Sequence, residues 1–154
     1  MSNYSIGEVA KKTAMTPSTI RYYEKEGLLP FVQRDTASRR TFNEVDLGFL
    51  EVIDCMKKSA IPVKEIADFM NLCVQGDSSL EQRLDFLTDH EQQLEEKIAE
   101  LEDNLDFLRW KKWYYQRALE AGTEEANFLK DSRVVDPELK KEFERDVLHR
   151  KLKY

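Results

Sequence analysis

The sequence predicts a mainly α-helical protein: a winged helix-turn-helix head with a small β-hairpin wing, then one long helix that pairs antiparallel with a second copy. Three observations carry this. A short helix with both ends marked lies in Thr16–Leu29 (TPSTIRYYEKEGLL), just after another capped helical stretch. Two short β-type runs bearing three arginines follow Pro30. From Leu80 to Leu119, ten of twelve positions spaced alternately four and three apart are apolar or aromatic.

Composition agrees with this division. A chain of 154 residues holds one ordinary domain, or a small domain with an extension. The apolar fraction of 41% is enough for a core, while the 35% charged fraction and the scarcity of Gly and Pro favour long solvated helices. No apolar run reaches membrane-spanning length and polar residues follow Met1, so neither an anchor nor a secretory leader is expected. Two cysteines, Cys55 and Cys73, do not make a disulfide scaffold, and the expected compartment is a reducing cytoplasm. The net charge of −6 is unevenly spread: residues 1–45 carry +2 and the remainder −8. Affinity for DNA depends on cations at the contact surface rather than on the global charge, so an acidic chain is not excluded.

The elements follow in order. Ser5-Ile6-Gly7-Glu8 is a capping box, with Ile6, Val9 and Ala10 as a short apolar stripe, and it predicts a helix ending near Lys12. Thr13-Ala14-Met15 has the length of the turn in a helix-turn-helix. Thr16 then suits an N-cap, Pro17 the first helical position, and Gly27 the left-handed residue that closes a helix. Ile20 and Tyr23 face a core. Ser18, Thr19, Arg21 and Tyr22 are left as polar or cationic tips, suited either to a phosphate backbone and groove or to plain solvent. Residues 31–34 and 39–42, separated by Asp35-Thr36-Ala37-Ser38, predict a hairpin carrying Arg34, Arg39 and Arg40. A two-stranded ribbon is marginal alone, so it must pack on the preceding helices. Its arginines suit phosphates or a minor groove, or are merely solvated.

Asn43 with Asp46 starts a further helix, in which Leu47, Leu50, Ile53 and Met56 form a core stripe. Phe49, Val52 and Cys55 make a second stripe, expected to meet another element, most simply of a partner subunit. Pro62 opens the next helix, with Ile66, Phe69 and Met70 inward. Cys55 is either a small buried hydrophobe or a sensor, which needs thiolate character and access. Cys73 reads as filler before the Gly76-Asp77-Ser78 break.

Ser79 with Gln82 is a further capping-box pattern, and the next break is Gly122. The helix between them spans roughly 60 Å at about 1.5 Å per residue. Its heptad-spaced stripe is a coiled-coil seam, too long for a head of some 75 residues to cover. The charged exceptions are Glu91 and Lys112. In a parallel dimer each meets its own copy; an antiparallel dyad near residues 99–103 sets each stem beside an apolar residue. That pairing places Trp110, Trp113 and Tyr114 near the partner's second helical pair, as an effector pocket between subunits or as simple packing. After Gly122, residues 123–130 predict one short helix and Asp136-Pro137-Glu138 begins another, with Leu139, Phe143 and Val147 on one face and a basic end at His149–Lys153. The expected domains are 1–76 for the head, 79–121 for dimerisation and 122–154 for a short effector or extension segment.

IGEVA at 6–10, TIRYYEKEGLL at 19–29, R-x5-R-x-F-x3-D-L at 34–47 and L-x2-I-x2-M-K-x3-I-P-x3-I at 50–66 together resemble the MerR family of transcription regulators. The resemblance covers about the first 75 residues. It implies a homodimer that binds a palindrome in double-stranded promoter DNA and activates by distorting the spacer for RNA polymerase, with a cytoplasmic, nucleoid-associated location. It also implies that Arg21 and Tyr22 hold phosphates, that Thr16 and Ser18 lie toward base edges, and that Arg34 and Arg40 belong to the wing. The family's usual G-Y-R-x-Y reads Ser38-Arg39-Arg40-Thr41-Phe42 here, losing one hydroxyl and gaining one cation. Cys55 looks like the lone cysteine of members that answer thiol-reactive electrophiles; a small electrophile or organic effector is the implied ligand. Soft-metal coordination needs converging cysteines, and none follows Cys73, so no metal or cofactor is expected. A thiol enzyme is not expected either, since no His neighbours a cysteine in sequence. The alternative reading is a coiled-coil adaptor that does not bind DNA.

Overall fold

The computed structural model describes residues 3–148; the basic end expected at His149–Lys153 lies outside them. The elements are α1 (Ile6–Thr13), α2 (Pro17–Lys25), β1 (Gln33–Arg34), β2 (Arg40–Thr41), α3 (Glu44–Lys58), α4 (Val63–Val74), α5 (Leu80–Ala121) and α6 (Glu138–Phe143). A 3₁₀ turn at Gly76–Ser79 precedes α5, another at Glu124–Asn127 follows it, and a π turn at Glu144–Leu148 follows α6. The chain forms two compact units, one ending at Leu94 and the other beginning at Glu95.

The first unit is organised by local polar signals. The Ser5/Glu8 capping box is formed, and so is the Asn43/Asp46 box at the start of α3. Thr16 caps α2 with Pro17 at its first position, and Gly27 closes it at φ +78°. The α1–α2 turn passes through Ala14 in the left-handed region. Val9, Ile20, Tyr23, Leu28, Leu50, Ile53, Ile66 and Met70 form the core on which α1 to α4 close. The wing is shorter than expected: β1 and β2 pair antiparallel over two residues each, with Gln33 opposite Thr41 and Arg34 opposite Arg40. Tyr4 extends it, its backbone bridging Phe42 as a third strand position. Buried Phe42 thus anchors the hairpin to the core.

Two expectations are corrected here. Ser79 does not cap α5. It is buried, and its hydroxyl donates to the carbonyls of Leu72 and Gly76, because the 3₁₀ turn runs straight into the helix and turns the side chain back onto α4. Phe49 does not wait for a second chain: its ring lies 4.8 Å from that of Phe31, at the base of the wing.

In the second unit, Trp110 and Trp113 on α5 pack against Phe143 of α6, and Tyr114 and Leu139 are buried. Gly122 closes α5 at φ +76°, as its position suggests. The expected helix at 123–130 is only the 3₁₀ turn capped by Thr123, and an isolated bridge joins Phe128 to Val135. Along α5 the predicted seam lies exposed, from Leu84 to Leu108, Tyr115 and Leu119. No helix of the described residues is long and apolar enough to cross a membrane.

Candidate nucleic-acid interface

Helix α2 is fixed from beneath by buried Ile20 and Tyr23, so the positions between them turn outward. Ser18 and Arg21 are exposed and Tyr22 keeps 44% of its surface. Thr16 is committed to capping: its hydroxyl accepts the Thr19 N–H at 3.1 Å and lies 2.9 Å from the Thr19 hydroxyl. That leaves Ser18, Arg21 and Tyr22 as the accessible polar tips of this face, with Thr19 half-buried beside them.

The wing arginines are placed differently from one another. Arg34 Nη2 donates to Glu24 Oε1 at 2.8 Å, and its Nη1 donates to the Ser38 carbonyl at 2.9 Å. Arg40 Nε donates to the other oxygen of the same carboxylate. Glu24 on α2 therefore ties both strands of the wing to the recognition helix, and the trio keeps one net positive charge. Arg39 is the most exposed of the three; its Nε donates to Asp35, whose carboxyl also accepts the Arg39 and Ala37 amides. Those backbone hydrogen bonds, above all the one from Arg39, hold the Asp35 carboxyl below the usual carboxylate range. Glu24 was missed by sequence reasoning. Its signal, an acid one turn after Arg21 on a helix otherwise read as cationic, acquires meaning only when the wing folds against it.

Lys57 of α3 adds a connection of another kind, its ammonium lying 5.4 Å from the Tyr22 ring centroid and 5.1 Å from that of Tyr23. Two residues earlier, Cys55 is exposed and lines an open groove of about 650 Å³ with Gly48, Val52, Leu87, Glu91 and Leu94. His90 lies on the same groove, bridges to Glu65 at 2.8 Å and packs on Phe86. Cys73 is half-buried, and burial pushes its thiol up in spite of the nearby Arg83 guanidinium. Among the described residues no group of His, Cys, Asp or Glu is placed to hold a metal ion.

The candidate pocket residues of the second unit are filled from their own chain. The Trp110 and Trp113 rings stack at 5.6 Å, and Phe143 packs against both. Tyr114 donates its hydroxyl to Glu124 at 2.8 Å, and the fully buried Asn127 donates to the Tyr114 carbonyl at 3.0 Å. A cavity of only about 210 Å³ remains beside Trp110.

Comparison with known proteins supplies the context for this geometry. The family model described as MerR HTH family regulatory protein matches residues 4–73. An HTH-type transcriptional regulator of Haemophilus influenzae is 35% identical over 123 residues, which cover 80% of this chain and 91% of that protein. Among solved structures, HiNmlR, a MerR family regulator lacking the sensor domain and bound to promoter DNA, aligns with a TM-score of 0.67 at 34% identity, over 81% of this chain and 99% of that one. A MerR family regulator from Bacillus thuringiensis aligns with a TM-score of 0.63 at 39% identity, over 71% and 96%.

Proposed function

The chain belongs to the MerR family of helix-turn-helix transcriptional regulators, DNA-binding proteins rather than enzymes, and from that premise we propose that it reads a palindromic promoter site as a homodimer. Residues 1–76 serve as the DNA-binding domain, 79–121 pair the subunits antiparallel, and 122–154 form a short extension. The observation that carries this reading is the joint between Glu24 and the two wing arginines. It sets the exposed face of α2, with Ser18, Arg21 and Tyr22, at a fixed angle to the wing. Arg21 and Tyr22 hold phosphates, Ser18 lies toward base edges, and exposed Arg39 supplies the wing's outermost cation. The relative solved with promoter DNA supports this use of the head. The alternative of an adaptor without DNA binding has no counterpart among these relatives.

Activation follows by distortion of the spacer between the two half-sites, so that RNA polymerase engages the promoter from a cytoplasmic, nucleoid-associated regulator. The effector is a small electrophile or organic ligand. Cys55 is the candidate sensor, because its thiol opens onto the groove between α3 and the first turns of α5. An adduct there wedges these helices apart and changes how the head is held.

Two experiments test the reading. R21A/R40A abolishes binding to a promoter duplex while leaving a dimer, and R21A alone lowers the salt slope of binding by about one. Duplex binding by R21A/R40A with unchanged strength and slope rules out these contacts. For the sensor, transcription in vitro with and without an aldehyde is compared between the wild type and C55S; the same response in both removes Cys55 from the mechanism.

A further inference from the structure

The three cations of the wing are not equally available. Arg34 is spent inside the protein: one Nη nitrogen donates to the Ser38 carbonyl and the other to Glu24. Arg40 and Arg39 are each gripped through Nε, Arg40 by Glu24 and Arg39 by Asp35. Their Nη nitrogens donate to no other residue among those described. A guanidinium held in this way presents its outer edge as a two-pronged fork, the shape that meets a phosphate.

A phosphate on the Arg40 fork lies two hydrogen-bond lengths and the width of a guanidinium from Glu24, about 7 Å. That is inside the Debye length of about 8 Å at physiological salt, so the carboxylate repels the phosphate it helps to present. The Glu24 side chain is 24% exposed, and water screens this repulsion only in part. Glu24 therefore acts twice. Its charge subtracts from the attraction to any nucleic-acid backbone, because it offsets one of the two arginines it holds. Its grip also orders both arginines in advance, a gain realised only where α2 and the wing dock together. Non-specific binding is almost wholly electrostatic and is weakened by the first effect. A docked complex keeps the benefit of the second, since its arginines need no further ordering. We infer that Glu24 is a specificity-determining residue, a built-in counterion that suppresses binding to arbitrary DNA while positioning Arg40 for the cognate site. This rests on the DNA contacts proposed above and adds the residue that sets their selectivity.

The test compares two short duplexes, one selected by the wild-type chain from a random pool and one a scramble of it. Binding of the full-length chain is followed by fluorescence anisotropy across a salt series. E24Q removes the charge at nearly constant volume. It binds the scramble about tenfold tighter or more near 0.1 M salt, with a salt slope steeper by about two per dimer, one for each head. The selected duplex gains less, and the ratio of the two affinities falls by about tenfold, because the freed arginines must now be ordered on docking. E24D separates the two effects: the charge stays and the slope with it, but one methylene fewer cannot hold both arginines, and the ratio falls. E26Q is the control, since exposed Glu26 pairs with neither arginine; it leaves slope and ratio as they are. A wild-type slope in E24Q, an unchanged ratio in E24Q, or an E26Q that does as much as E24Q overturns the assignment. Where E24Q does not fold, an unchanged ratio in E24D overturns it alone. A wild-type chain that enriches no sequence from the pool overturns the proposed promoter reading instead.

Discussion

The two ends of α5 solve the same problem in opposite ways. Its first turns pack Phe86 against Phe69 of α4, in a unit whose core residues, such as Ile20, Leu50 and Ile53, are fully buried within one chain. Its last turns bury one face under α6 and leave the other bare, with Leu108 at 62% and Leu119 at 82% exposure. Burying a leucine contributes about 1.5–3 kcal/mol, so the exposed stripe is a large unused driving force. The head is closed by its own sequence; in the proposed dimer the seam is closed by association. Folding of the head and assembly of the dimer are therefore expected to respond to different substitutions.

The change with the largest expected effect is a charge at the centre of the seam. In the proposed antiparallel dimer I98K puts an ammonium near the dyad; the expected outcome is a monomer by sedimentation whose circular dichroism keeps the helices of the head. A dimer of unchanged strength contradicts the seam. Next comes the core. L50A opens a cavity in the fully buried cluster and costs about 2–5 kcal/mol in denaturant unfolding, with little effect on the seam's own contacts. Loss of dimerisation without loss of head stability in L50A runs against the division drawn here.

The smallest effect concerns Asp46, which is buried beneath the start of α3. Burial raises its pKa, and the hydrogen bond from the Asn43 amide offsets only part of that. A carboxyl whose folded pKa lies above its unfolded value contributes stability at low pH that is lost as pH rises through the folded value. D46N, which keeps an acceptor for the Asn43 amide without the charge, is expected to match or slightly exceed the wild-type melting temperature at pH 7. That gain shrinks as the buffer is taken down toward the carboxylate range. A D46N variant clearly less stable at neutral pH shows instead that the charge strengthens the cap more than burial penalises it.

What could be read from the chain alone was set by range. Ser5 with Glu8, and Asn43 with Asp46, act three residues apart, so residue type and spacing suffice to specify them. Gly27 and Gly122 end helices by a conformational freedom local to one residue. The 3–4 spacing of α5 survives because it repeats over eleven turns. Legibility failed where a partner lies far along the chain. Glu24 reaches Arg34 and Arg40 only after the wing folds back, and Tyr4 pairs with Phe42 across the whole head. The tryptophans were ambiguous for a different reason: the end of α5 is apolar on two faces, and periodicity does not say which face meets α6 and which meets a second chain. Ser79 shows the limit of a motif, since a capping pattern holds only if the backbone before it is extended, and here it is a 3₁₀ turn.

One short stretch of α3 has a consequence for signalling. Cys55, Met56 and Lys57 follow one another at about 100° around the helix, and each touches a different neighbourhood. Cys55 faces the groove, Met56 is buried in the core, and Lys57 rests on the ring of Tyr22. The helix is thus a spindle with three cams. A small rotation about its own axis displaces all three at once, and because Met56 is packed tightly on the core, that rotation is resisted until something at the groove supplies the torque. Under the proposed sensor role, an occupant of the groove that turned α3 would therefore reach Tyr22 through this one helix.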